Sequence, residues 1–159
     1  MAARKPTKKD DSPESQLHGF LDKYTPAVAT LARACPAKMR ARLPGAVQLV
    51  YDNYNALAIG FGPSERASEA IFSIALYPRW VALFFLQGAG LADPEQLLKG
   101  KGKVVRHIVL ASAADLSQPA IQDLMAKALQ RAEQGIDPTA PGRLVIRSIS
   151  AKQRPRRPA

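Results

Sequence analysis

The chain has one cysteine, Cys35, so no internal disulfide can form, and a reducing compartment suits it better than a disulfide framework. It has no long hydrophobic run. Its longest uninterrupted apolar stretch, Trp80–Leu86, falls far short of the ~20 residues a membrane span needs. The N-terminal MAARKPTKKDD is charged and lacks the apolar core of a secretory signal. These absences predict a soluble, cytoplasmic protein with no membrane partner. Histidine is scarce too. His18 lies beside the apolar stripe of a helix, and His107 alternates with Val105 and Val109 on a strand. No HExxH, paired-cysteine or other ligand spacing surrounds either, so packing or surface roles are expected and no metal site. No GxSxG elbow is present and no serine stands in an activating context, which excludes a recognisable hydrolytic triad.

Acidic residues are outnumbered, 13 Asp+Glu against 23 Lys+Arg, giving a net charge of +10. Much of the excess sits at the ends: residues 1–12 carry +2 and residues 151–159 carry +4, leaving +4 for the rest. Both ends are rich in Pro and Lys/Arg, so residues 1–13 and 151–159 are expected to be disordered basic tails around one domain at 14–150. Such tails attract polyanions weakly and without sequence preference. A solubility or linker role fits them as well as a nucleic-acid arm does. A length of 159 residues with 47% hydrophobic composition is enough for one domain with its own core.

Within that domain Leu17, Phe20, Leu21 and Tyr24 recur with helical period. Thr25-Pro26 is an N-cap followed by proline at the first helical position. The second helix turns Val28, Leu31, Cys35 and Met39 inward, should kink or restart at Pro36, and stops at Leu43-Pro44-Gly45. The period then becomes two. Val47, Leu49 and Tyr51 alternate with Gln48, Val50 and Asp52, and Leu57, Ile59 and Phe61 oppose Ala56, Ala58 and Gly60. That small-residue face predicts a close neighbour. Ile71–Tyr77 and Trp80–Leu86 form a hairpin around Pro78-Arg79, with Trp80 and Phe84 on one strand face, which core packing explains better than base stacking. Asp93-Pro94-Glu95-Gln96 reads as a short helix start and Gly100 as its stop. Val104–Leu110 is a strand, Ser117 should cap a longer helix, Gly135 should close it, and Leu144–Ile149 is a last strand. Grouped strands with short connections predict an α+β fold, a mainly antiparallel sheet packed by N- and C-terminal helices.

Gly100-Lys101-Gly102-Lys103 invites a phosphate-loop reading, but the Walker A spacing fails, since neither GK pair is followed by Ser or Thr. A helix stop and a solvated basic turn explain it. Lys101, Lys103 and Arg106, with Lys99, nonetheless form a candidate anion site. The string Tyr51, Asp52, Asn53, Tyr54 and Asn55 joins two strands, where binding clefts are often found, and is the candidate pocket; Asx residues are also ordinary turn formers.

Three stretches, LVYDNYNALAIGFGPSE, IALYPRWVALFFLQGAGLADPEQLLKGKGKVVRHIVL and LVIRSISAKQRPRR, together resemble the YdhG-like family, domain of unknown function 1801, over residues 17–157. The most specific part is Leu91-x-Asp93-Pro94…Leu98-x-Gly100-x-Gly102-Lys103…Arg106. The resemblance implies a domain similar in outline to frataxin, and some family members carry a frataxin-like iron-chaperone label. Hard carboxylates would hold the iron in that proposal. This sequence departs from it. The first helical region offers Glu14 and Asp22, with Asp10 and Asp11 before it, and 26–43 has Arg33, Lys38, Arg40 and Arg42 and no carboxylate. The expectation is therefore a non-enzymatic module for an unknown ligand or protein partner, with no cofactor and no catalytic residue. The alternatives are iron handling and nucleic-acid association through the tails.

Overall fold

The computed structural model describes residues 12–158. Helices α1 (Pro13–Leu21) and α2 (Pro26–Arg42) precede strands β1 (Val47–Asp52), β2 (Leu57–Gly62), β3 (Phe72–Leu76), β4 (Val81–Phe85) and β5 (Arg106–Leu110). Helix α3 (Pro119–Arg131) and strand β6 (Arg143–Ile149) follow, and short 3-10 turns lie at Ala67–Glu69 and Ala113–Ser117. One sheet of order β5-β4-β3-β2-β1-β6 results, antiparallel throughout except for the parallel β1–β6 pair. This is the α+β fold the element order predicts. No helix among the described residues is long and apolar enough to cross a membrane.

Local chemistry sets most of the boundaries. The Ser12 Oγ accepts the Ser15 N–H at the start of α1, so the chain is already ordered at the helix cap; residues 1–11 of the expected tail lie outside the described residues. Thr25 does the same for Val28 at the start of α2, with Pro26 behind it. Helix α2 then runs unbroken through Pro36, where a kink or restart was expected. Proline removes one N–H from the ladder, but Pro36 lies in the buried stripe with Ala32, Cys35 and Met39, whose packing holds the helix across the missing bond. At Gly45 the backbone has φ +86°, and a Cβ there would stand 1.9 Å from the Asp137 carbonyl oxygen. Only glycine lets the 137–142 segment lie against this turn, which delivers β6 alongside β1.

The helices share one face of the sheet. Leu57, Ile59 and Phe61 of β2, Phe72, Ile74 and Leu76 of β3, and Val81, Leu83 and Phe85 of β4 join Leu17, Leu21, Val28, Met39, Ile121, Leu124 and Met125 in one buried cluster. Phe72 and Phe85 meet edge to face at 5.5 Å. Tyr24 ties the helical layer to the sheet: its hydroxyl accepts the Leu57 N–H and donates to the Leu76 carbonyl. On the opposite face the close neighbour expected against Ala56, Ala58 and Gly60 is, at Gly60 and the adjoining Gly62, the 67–70 segment. A Cβ on Gly62 would lie 2.8 Å from the Ala70 Cα.

Cys35 sits at the centre of the cluster with no exposure. Burial first, then the charge of Asp115, pushes its thiol up to about 11, against the pull of Lys38. The unfolded thiol ionises near 9.0, so between that pH and about 11 the native chain holds a proton that the unfolded chain has lost. Stability therefore falls as pH rises through this window, by about 1.4 kcal/mol per unit. Urea midpoints compared at pH 8 and 10 should show this added fall in the wild type and not in Cys35→Ala. At pH 8 a thiol reagent should label Cys35 only as fast as the chain unfolds. Rapid labelling of native protein would contradict the buried placement.

Three expectations change. The helix expected after Asp93 is a single turn. Asp93 caps no helix: its carboxylate accepts the Leu97 and Leu98 N–H groups at 2.9 and 2.8 Å, bracing a turn, and with Gln96 at φ +55° the chain leaves helical geometry at once. So few residues before Gly100 give too few propagating bonds to offset nucleation. Ser117 does not cap α3. Ser112 and Asp115 form a capping box for the preceding 3-10 turn, Gln118 is the α3 N-cap, and the Ser117 hydroxyl accepts from Lys38 instead. The helix ends at Arg131, before Gly135. The C-terminal segment is not a loose tail: residues 151–158 pack back on the domain, as described next.

Candidate functional site

The Tyr51–Asn55 string, expected to line a pocket, builds a clasp. Asp52 ends β1 on the helical face, 1% exposed. Arg156 arrives from the C-terminal segment, 5% exposed, and donates to Asp52 Oδ1 at 2.9 Å, to the Asn53 carbonyl at 2.5 Å and to the Tyr54 carbonyl at 3.4 Å. Its guanidinium also lies 5.9 Å from the Tyr24 ring centre. Burial raises the Tyr24 phenol above its usual value, opposed by the Arg156 charge. Gln153 donates to the Asp52 carbonyl, Arg154 N–H to the Tyr54 carbonyl, and the Arg154 guanidinium stands 5.6 Å over the Tyr54 ring. Asn53, Tyr54 and Asn55 are exposed around this plug, and Tyr51 points to the other side of the sheet. The turn is thus filled by the protein's own chain.

The candidate anion site does not converge either. Arg106 turns its guanidinium into the loop, donating to the Gly102 and Val105 carbonyls. Lys101 and Lys103 are exposed and reach no acceptor among the described residues, while Lys99 forms a short antiparallel bridge with His107, outside β5. That bridge brings the Lys-Gly loop to the edge of the sheet. A Cβ on Gly100 would lie 3.6 Å from the His107 Nδ1.

What that loop borders is the face without helices. Strand pairing sets Tyr51, Ala58, Ala75, Ala82 and Val109 in one row across it, and Leu49, Gly60, Ser73, Phe84 and His107 in the next. The middle of this face carries small residues that are themselves buried, Ala82 at 1% and Ala75 at 6% exposed, and the 67–70 segment lies over Gly60. Around these stand two aromatic pairs. Phe84 stacks on His107 at 5.1 Å with planes 28° apart, and Tyr77 stacks on Trp80 at 4.9 Å with planes 26° apart. Trp80 is 45% exposed and Val109 53%. The core placement expected for Trp80 and Phe84 is therefore corrected: Val81, Leu83 and Phe85 take the core, and the alternate residues face outward. Pairing of Asp52, Leu57, Leu76 and Val81 along one line puts the Tyr54 turn and the Pro78-Arg79 turn at the same end of the sheet. Arg79 is exposed there with no partner among the described residues, and Arg154 lies over Tyr54. Lys101 and Lys103 stand beyond the other end, past the Phe84–His107 pair.

Periodicity held a signal for this face, since Ala58-x-Gly60 alternates against the larger Leu57, Ile59 and Phe61. It could not say which alternation the helices cover, because both carry apolar side chains.

The helical side holds clefts in which some of the lining cations are already paired. One of about 370 Å3 between α1, α2 and β6 contains Glu14, His18, Arg33 and Arg40. Arg33 bonds Asp22 at 2.7 Å, and Arg40 bonds Gln48 at 3.4 Å. The carboxylates considered for iron thus do not gather: Asp22 is tied to Arg33, Glu14 lies in this cleft, and Asp10 and Asp11 fall outside the described residues. Among the described residues no group of three or more His, Cys, Asp or Glu is placed to hold a metal ion. No protein-family model, curated protein or solved structure matches the chain.

Proposed function

We propose that the protein is a non-enzymatic binding module that takes an anionic polymer on the open face of its sheet. The observation that carries this reading is the set of exposed cations, without a partner among the described residues, at the two ends of that face, Arg79 at one and Lys101 and Lys103 at the other. The outward-facing residues of β3, β4 and β5 between them, Ser73, Ala75, Ala82, Phe84, His107 and Val109, include no carboxylate. Cations held apart from any acid keep their full field for a ligand, and the net charge of +10 draws polyanions in. The resemblance to YdhG-like domains is part of the same proposal, resting on the Leu91–Arg106 pattern.

Inorganic polyphosphate is the probe. Titration calorimetry at low salt should show binding that weakens at least ten-fold in Arg79→Glu/Lys101→Glu/Lys103→Glu, with unfolding midpoints little changed because all three side chains are exposed. The reading is wrong if polyphosphate does not bind, or if charge reversal leaves its affinity unchanged.

A further inference from the structure

Resting on that reading, we infer that the polymer is a single-stranded nucleic acid whose bases stack on Trp80 and on the Phe84–His107 pair. Polyanion binding needs cations alone, whereas this face also presents rings. Trp80, just before β4, and Phe84 within it are four residues apart, about 13 Å of extended chain at ~3.3 Å per residue. Between them Ala82 and its cross-strand neighbour Ala75 are buried, 1% and 6% exposed, and Val109 stands exposed at 53%, so no polar side chain separates the two rings. Two aromatic platforms bracketed by cations match how single strands are held: aromatics take the unpaired bases and Lys/Arg track the backbone. A duplex hides its base faces and could use only the cations. Tyr54, exposed at the Trp80 end with Arg154 over its ring, extends the path. The exposure of Trp80 is otherwise unaccounted for. It is the chain's single tryptophan and, at 45% exposed, is held on Tyr77 outside the core.

That single tryptophan makes the test direct. The full chain is titrated with a labelled mixed-sequence single-stranded oligonucleotide, with the same strand in a duplex, and with polyphosphate. Trp80 emission is followed in the wild type and anisotropy in the variants. The single strand should quench Trp80 and bind at least ten-fold tighter than the duplex. Trp80→Ala and Phe84→Ala should each weaken it by about ten-fold, as loss of one stacked base does, with polyphosphate affinity unchanged. Trp80→Phe should recover most of the loss. With about four phosphates neutralised, affinity should fall roughly fifty-fold between 50 and 200 mM salt. Equal affinity for strand and duplex, or single-strand binding untouched by Trp80→Ala, would overturn the stacking inference while polyphosphate binding kept the polyanion reading. Failure of both probes would overturn both. Self-association lost in Trp80→Ala, with no oligonucleotide bound, would make the occupant a protein and also overturn the inference.

Discussion

Arg156→Met lowers the unfolding free energy by about 3 kcal/mol, the lower end of the cost of breaking a buried ion pair from one side. The guanidinium, 3% exposed, and the Asp52 carboxylate, 1% exposed, sit 2.9 Å apart. Removing the cation leaves the anion in low dielectric, where an unpaired charge is far more costly than the pair is favourable. Lys23 Nζ, 3.8 Å from Asp52 Oδ2 and half exposed, gives partial compensation and keeps the loss at the low end. The loss also frees the Asn53 and Tyr54 carbonyls and unfastens the segment that Gln153 and Arg154 hold to the same turn. Urea unfolding measures the loss. The double variant Arg156→Met/Asp52→Leu should recover most of it, because no charge is then stranded. A chain ending at residue 150 should be destabilised at least as much as Arg156→Met. A midpoint unchanged in either case would mean that the C-terminal segment hangs free.

Phe72→Ala should cost about 3–5 kcal/mol, while Trp80→Ala should stay within about 1 kcal/mol of wild type. Phe72 has no exposure and meets Phe85 edge to face, so truncation opens a cavity in the layer between sheet and helices. Trp80 has its ring in solvent against Tyr77, and its loss leaves no void. Denaturant titration of the two variants reads which face of the sheet is the core. Equal costs would mean that Trp80 is packed inside, and the binding face would be lost with that result. The same contrast makes the binding test clean, since Trp80→Ala changes the surface and not the fold.

Much of the fold was legible in the chain because the signals were local. The cap and proline of Thr25-Pro26, the stop at Leu43-Pro44-Gly45, and the switch to period two after Val47 each act over a few residues. Where a local signal met a competing one it misled. Asp93 braces a turn through the Leu97 and Leu98 N–H groups, yet the few residues before Gly100 could not sustain a helix. Pro36 should have broken α2, yet a buried stripe on both sides held it. The site was less legible. Tyr51–Asn55 was marked as a cleft because strand-end turns often are one, and nothing within those five residues announces that Arg156, more than a hundred positions away, fills it.

By itself the sequence determined the element types, the α+β class, the lack of a disulfide and the excess of positive charge, all of which follow from composition, period and capping. The tertiary structure alone decided which face of β4 became core. Val81-x-Leu83-x-Phe85 and Trp80-x-Ala82-x-Phe84 are both apolar alternations, and period two cannot rank them. Three helices landing on one side settled it, turning Trp80 outward beside Arg79 and the Lys-Gly loop. It also decided that a basic C-terminal segment is part of the domain. A charge run reads as solvated until a buried carboxylate stands within reach, and only the folded chain brings Asp52 to Arg156.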